Sequence, residues 1–154
     1  LKCPKSNSLL KFVFLSGRLE DMADTKGTKL FQKWLDRVAY DMDTAKAMLQ
    51  TGRLVYAIFM CQQSLEKCFK ALLAYKDREI VPIHNLRRLA ELSMVNQELD
   101  EATFVKLDFL SIYYINARYK EDLQQLSKGI TEPVVQDFIR FSEGLIAWLC
   151  QKMK

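Results

Sequence analysis

Between Arg53 and Lys76 the apolar residues Leu54, Ile58, Cys61, Leu65, Cys68 and Leu72 recur every three or four positions, with no glycine or proline between them. Only an α-helix with one face against a core satisfies that period over so long a run. The pattern returns three times. Residues 29–50 place Trp34, Val38, Ala45 and Met48 on one face, joined by Leu35, Met42 and Leu49, and close with a C-terminal glycine signal at Thr51-Gly52. Residues 97–119 carry Phe104, Leu107, Leu110 and Tyr114, with Ile112 and Ile115 on other faces. A helix apolar almost all round is either central or at an interface. Residues 131–152 open with a Thr131 cap before Pro133 and align Val134, Phe138, Phe141, Leu145 and Trp148. A short helix over 84–92, capped by His84 or Asn85, follows a connection closed by Pro82. With only 5 Gly and 3 Pro in 154 residues there are too few turn residues for a β-sandwich or barrel. Short connections make neighbours antiparallel, so the expected fold is all-α: an up-and-down four-helix bundle with an additional short helix.

The rest of the composition narrows the function. Apolar residues at 49% can fill a core, and a net charge of +4 permits nucleic acid as a partner without requiring it. No run reaches the ~18 apolar residues of a membrane helix, so no membrane role is expected. The four cysteines, Cys3, Cys61, Cys68 and Cys150, form no CxxC pair, and one His is too few for a zinc site. Free cysteines in a reducing cytoplasm, with no metal and no cofactor, are the expectation. Residues 1–28 read as an N-terminal arm distinct from a folded domain over 29–154. The short apolar run from Leu9 to Leu15 is broken by Lys11 and lacks a signal-peptide cleavage pattern. Two readings of the arm stand: a translated leader upstream of a start at Met22, or a disordered extension.

The residues that violate the apolar pattern are the informative ones. At about 100° per residue from Leu54, Gln62 falls at about 80° and Glu66 at about 120°, between Phe69 and Phe59. Gln63, Lys67 and Lys70 fall at about 160–220°, which reads as a solvated face. Asp41 stands on the inner face of the first helix, between Trp34 and Met48. Arg118 continues the stripe Leu107, Ser111, Tyr114 on the fourth. A buried carboxylate needs a cation or donors. Arg118 is therefore expected to pair with Glu66 or Asp41, with Gln62 and the hydroxyl of Tyr114 or Tyr119 completing a polar centre. That centre is either an internal ion pair fixing helix register or a pocket for phosphate or nucleotide.

These residues carry a resemblance. Trp34, Tyr40-Asp41 and Ala45, then Ala57 and Gln62-Gln63-x-x-Glu66-Lys67-x-x-Lys70-Ala71, resemble the first two helices of HEPN (higher eukaryote and prokaryote nucleotide-binding) domains. His84-Asn85-Leu86 followed by Leu89 resembles that family's start of the short helix, and Tyr114-Ile115-x-Ala117-Arg118-Tyr119 its end of the fourth. Many relatives carry Pro where Lys120 stands. The resemblance spans about residues 29–152. It implies a prokaryotic all-α protein, a homodimer, working beside a minimal nucleotidyltransferase in a toxin–antitoxin or defence module, with nucleotide or RNA as ligand.

Many HEPN proteins are metal-independent ribonucleases with an Arg-x(4–6)-His motif at the end of the fourth helix. Here Arg118 is followed by Tyr119 through Gln125 with no His. His84 lies six positions after Arg78, which matches the spacing in the wrong place. Cleavage through a 2′-hydroxyl needs a proton acceptor near neutral pH, usually His. Tyr119 is too weak a base, and Glu66 could serve only if burial raised its pKa. Arg118, Tyr119 and His84 are thus the weak catalytic candidates; Arg118, Tyr119, Tyr114, Glu66, Gln62 and Asp41 are the candidate nucleotide pocket. The leading expectation is an interaction module without the usual ribonuclease site. The alternatives are a ribonuclease toxin using Arg118 and a purely structural helical protein. Lys67, Lys70, Arg78, Arg87 and Arg88 could form a basic strip, or be ordinary solvated side chains.

Overall fold

The computed structural model describes the backbone of residues 26–119 and 127–153 and the side chains of residues 30–117 and 127–153. Among the described residues there are four long helices and a short one, and no strand: α1 (Lys26–Gln50), α2 (Leu54–Tyr75), α3 (Leu86–Leu92), α4 (Glu101–Tyr119) and α5 (Glu132–Gln151). The fold is the all-α bundle expected of the apolar periods. The N-terminal arm at residues 1–25 and most of the polar connection over 120–130 lie outside the described residues, and α1 begins three residues ahead of the expected boundary. No described helix is long and apolar enough to cross a membrane.

Helix ends follow one backbone device with three different residues. After α1, Gly52 N–H bonds Leu49 O and Arg53 N–H bonds Met48 O, with Gly52 at φ 72°. This is the Schellman closure that glycine favours because it lacks a Cβ. The same pair of bonds closes α2 through Asp77 at φ 54° and α3 through Met94 at φ 59°. Only the first is visible as a glycine. Asn85 caps α3, its side chain accepting from Arg88 N–H at 2.8 Å, which decides between His84 and Asn85. A 3₁₀ turn at Asn96–Glu98 occupies the segment expected to start α4. That helix begins after Asp100, whose carboxylate accepts from Thr103 N–H at 2.8 Å.

The central helix is α2, which packs against all four others. Its buried residues include Ile58, Cys61, Leu65, Phe69 and Leu72 on one side and Ala57, Ala71 and Ala74 on others, so it has almost no solvated face. Each large apolar side chain buried here contributes roughly 1.5–3 kcal/mol. Cys61, Cys68 and Cys150 are buried and form no disulfide, and burial pushes the Cys61 thiol up to about 12, leaving it an inert small hydrophobe. On α5 the buried face runs through Val135, Ile139, Ile146 and Leu149. Of the expected stripe Phe138 and Leu145 are buried with them, whereas Val134, Phe141 and Trp148 lie at its edge, only partly buried.

The fourth helix, α4, has two faces. Phe104, Leu107, Leu110, Ser111 and Tyr114 are buried against α2 and α3, while Val105, Phe109, Ile112 and Ile115 lie exposed along the other side. Of the two readings of an all-round apolar helix, the central position belongs to α2, and α4 presents an exposed apolar edge at Val105, Ile112 and Ile115, with Phe109 partly covered by Phe138 of α5.

Candidate functional site

A buried carboxylate organises the place where α2, α4 and the start of α3 meet. Glu66 is 6% exposed. Its Oε1 accepts from Lys70 Nζ at 2.7 Å; its Oε2 accepts from Gln62 Nε2 at 3.0 Å and lies 3.0 Å from His84 Nδ1. Gln62, Glu66 and Lys70 are spaced i, i+4, i+8, so helical geometry alone stacks them on one stripe of α2. Burial raises the cost of the Glu66 charge, but the donors from Lys70, Gln62 and His84 outweigh it and hold the carboxyl below its ordinary range. Glu66 is therefore ionised near neutral pH, and the donors that lower its pKa make it a weak base.

The amide of Gln62 is committed on both sides. Its nitrogen donates to Glu66 and, at 3.1 Å, to the backbone carbonyl of His84, and its oxygen accepts from Gln63 Nε2 at 2.8 Å. The imidazole of His84 is thus fixed at its backbone by Gln62 and at its ring by Glu66. One face rests against Tyr114 at a centroid distance of 5.3 Å, and Tyr114 itself stacks on Phe59 at 5.2 Å. Despite these contacts the His84 side chain is 50% exposed. Leu86 N–H, two residues on, donates to Ser111 Oγ at 3.0 Å, tying the connection to α4.

Two expectations change here. Lys70 is not on a solvated face: it is buried beside Glu66, with its ammonium 6.0 Å from the Trp34 ring centroid. A lysine four residues after a glutamate reaches back along the helix to it, and its stem covers apolar surface while the head pairs. Lys67 likewise pairs with Asp41 of α1, because α1 covers the side of α2 that a single-helix wheel leaves open. Lysines of α2 thus pair with Glu66 and Asp41; the pairing expected of Arg118 falls on a side chain outside the described residues. Arg118 and Tyr119 occupy the last turn of α4, one turn beyond Tyr114, and their side chains lie outside the described residues.

The basic strip does not form as a free surface. Arg87 is bidentate on Asp108 at 2.6–3.0 Å and lies 4.3 Å over the Phe104 ring. Arg88 pairs with Glu91, and Arg78 donates to the carbonyl of Leu92. Among the described residues no group of three or more His, Cys, Asp or Glu could hold a metal ion. A cavity of about 310 Å³ beside the α1–α2 turn is lined by Gly52, Arg53, Tyr56 and Ile130, and includes none of the candidate site residues. The sequence singled out Gln62, Glu66, Asp41 and Tyr114, all buried; His84 stood apart from them as a cap and weak catalytic candidate, and the structure brings it to Glu66.

A family model described as HEPN domain matches residues 31–153. No curated protein and no solved structure matches the chain.

Proposed function

The chain belongs to the HEPN domain family, and from that premise we propose that it is a nucleotide- or RNA-binding interaction module that self-associates through α4 and works with a minimal nucleotidyltransferase. Family membership supports a nucleotide- or RNA-related module in general. The observation that carries the finer reading is the exposed stripe Val105, Phe109, Ile112 and Ile115, on the same helix that supports the polar centre with its other face. Val105, Ile112 and Ile115, beside a Phe109 ring already stacked on Phe138, are costly to leave in water and suit a second copy of the same helix. Such a contact would pair two copies of α4, each carrying its own polar centre on the face turned away from the contact. Arg118, Tyr119 and the edge of the centre at His84 and Tyr114 are the residues we assign to the ligand, with Glu66, Gln62 and Asp41 behind them. The domain so proposed comprises residues 29–154, with 1–28 as an arm that takes no part. Its place is cytoplasmic, and its setting is a prokaryotic toxin–antitoxin or defence module.

Light scattering of the purified chain tests the association: a dimer that Ile112→Asp converts to a monomer supports it, and a wild-type monomer removes it. Binding of a labelled single-stranded RNA, weakened by Arg118→Ala with a salt slope smaller by about 1, supports the ligand assignment. Unchanged binding in that variant removes Arg118 from the site.

A further inference from the structure

The described cysteines differ in what stands beside them. Cys68 follows Cys61 by seven residues on α2, which is two turns or about 10 Å along the axis and beyond disulfide reach. Cys68 and Cys150 do meet. Where α5 packs along α2, the two lie in one core, 0% and 7% exposed, with their thiols hydrogen-bonded to each other. The bond with Cys150, burial, and a charge on Cys150 all push the Cys68 thiol well above its ordinary value. The proton of the pair therefore stays on Cys68, and Cys150 is the sulfur that accepts the hydrogen bond and takes the charge. Cys150 is also the reachable one. It stands one residue before the end of α5 at Gln151, where helices fray, whereas Cys68 is sealed in the interior of α2. Core packing asks only for two small apolar side chains here. It does not ask for two sulfurs in contact, one of them at a helix end.

We propose that Cys68 and Cys150 form an oxidative modification site: hydrogen peroxide converts the pair to a disulfide that locks the last turn of α5 onto α2. In the first step the Cys150 thiolate attacks one peroxide oxygen. The O–O bond breaks, the departing hydroxide takes the proton that Cys150 gave up and becomes water, and Cys150 becomes a sulfenic acid. The Cys68 sulfur then bonds to the Cys150 sulfur as the S–O bond breaks, and the Cys68 proton leaves with the hydroxyl as a second water. Two thiols lose two electrons between them, and one peroxide is reduced to two waters. A thiol reductant reverses the bond by exchange. The disulfide joins positions 68 and 150 and so closes a loop over more than half of the chain, which restricts the unfolded state. The lock needs neither RNA nor the contact through α4.

The test treats the folded full chain with hydrogen peroxide at neutral pH, then denatures it with an alkylating agent and maps the tryptic peptides by mass spectrometry. Trypsin cuts after Lys67, Lys70, Arg140 and Lys152, so Cys61, Cys68 and Cys150 leave on different peptides. The expected result is a peptide pair linking Cys68 to Cys150 and a chain lighter by two hydrogens. The oxidised chain should melt several degrees higher than the reduced one, and dithiothreitol should abolish the difference. Cys150→Ala, which keeps a small apolar side chain in the core, should give no linked pair and no rise in melting temperature on oxidation. The linked pair in the wild type is a readout independent of any variant's folding. Cys68 and Cys150 both alkylated after peroxide overturns the proposal, as does Cys150 carried to a sulfinic acid with Cys68 still a thiol. A link from either residue to Cys3 or Cys61 overturns the pairing, and a linked chain that melts no higher than the reduced one overturns the lock.

Discussion

Two ion pairs flank the start of α3 at nearly the same distance and in different surroundings. Lys70 and Glu66 meet at 2.7 Å with both side chains 8% exposed; Arg87 and Asp108 meet at 2.6 Å with 34% and 39% exposure. Distance does not distinguish them, but water does. Around Glu66 the charge is neutralised by protein donors alone, so each donor is needed. At Asp108 solvent shares the task, and the guanidinium gains as much from lying over Phe104 as from its charge. The lesson is that a short contact becomes a structural requirement only where solvent cannot replace the missing partner.

Removing the buried cation should separate the two most strongly. Lys70→Met leaves Glu66 buried with neutral donors, and we expect a loss of about 3 kcal/mol in urea unfolding at neutral pH. A loss below that of a typical surface substitution would mean that water reaches Glu66. Acid should act more gradually on the same centre. The folded Glu66 carboxyl lies below its unfolded value, so its contribution is complete above the ordinary carboxylate range and drains as pH falls through the folded value. The wild type should therefore lose stability on acidification more steeply than Glu66→Gln, measured as midpoint against pH. The smallest effect is expected at the exposed pair. Arg87→Met, which removes both the pair with Asp108 and the guanidinium over Phe104, should still cost well under half of the Lys70→Met loss, and added salt should shrink the wild type's advantage. Equal losses at the two sites would break the comparison.

What could be read from the residues, and what could not, divides along the same line. Gln62, Glu66 and Asp41 announced themselves as polar residues inside an apolar arc, because a violated period is a local signal. Their cations did not. A wheel drawn for one helix treats the side of α2 that bears Lys67 as solvent, whereas α1 lies there and supplies Asp41. The sequence reading looked for a cation for Glu66 among inward-facing arginines and overlooked a lysine one turn along the same helix. The ends of α2 and α3 were equally hidden, since Asp77 and Met94 take the left-handed conformation that a glycine advertises only at Gly52.

The chain by itself determined that it would be helical, how many long helices it would have, and which carboxylates would be buried, since periodicity and turn-residue scarcity act over neighbouring residues. Its family was legible too, in short motifs held in order along those helices. Only the tertiary structure decided that α2 rather than α4 is central, that α4 keeps an apolar face open, and that the lone histidine of a connecting segment meets a glutamate 18 positions away. Those outcomes depend on which surfaces meet, and contact between residues far apart in the chain leaves no period in the sequence to read.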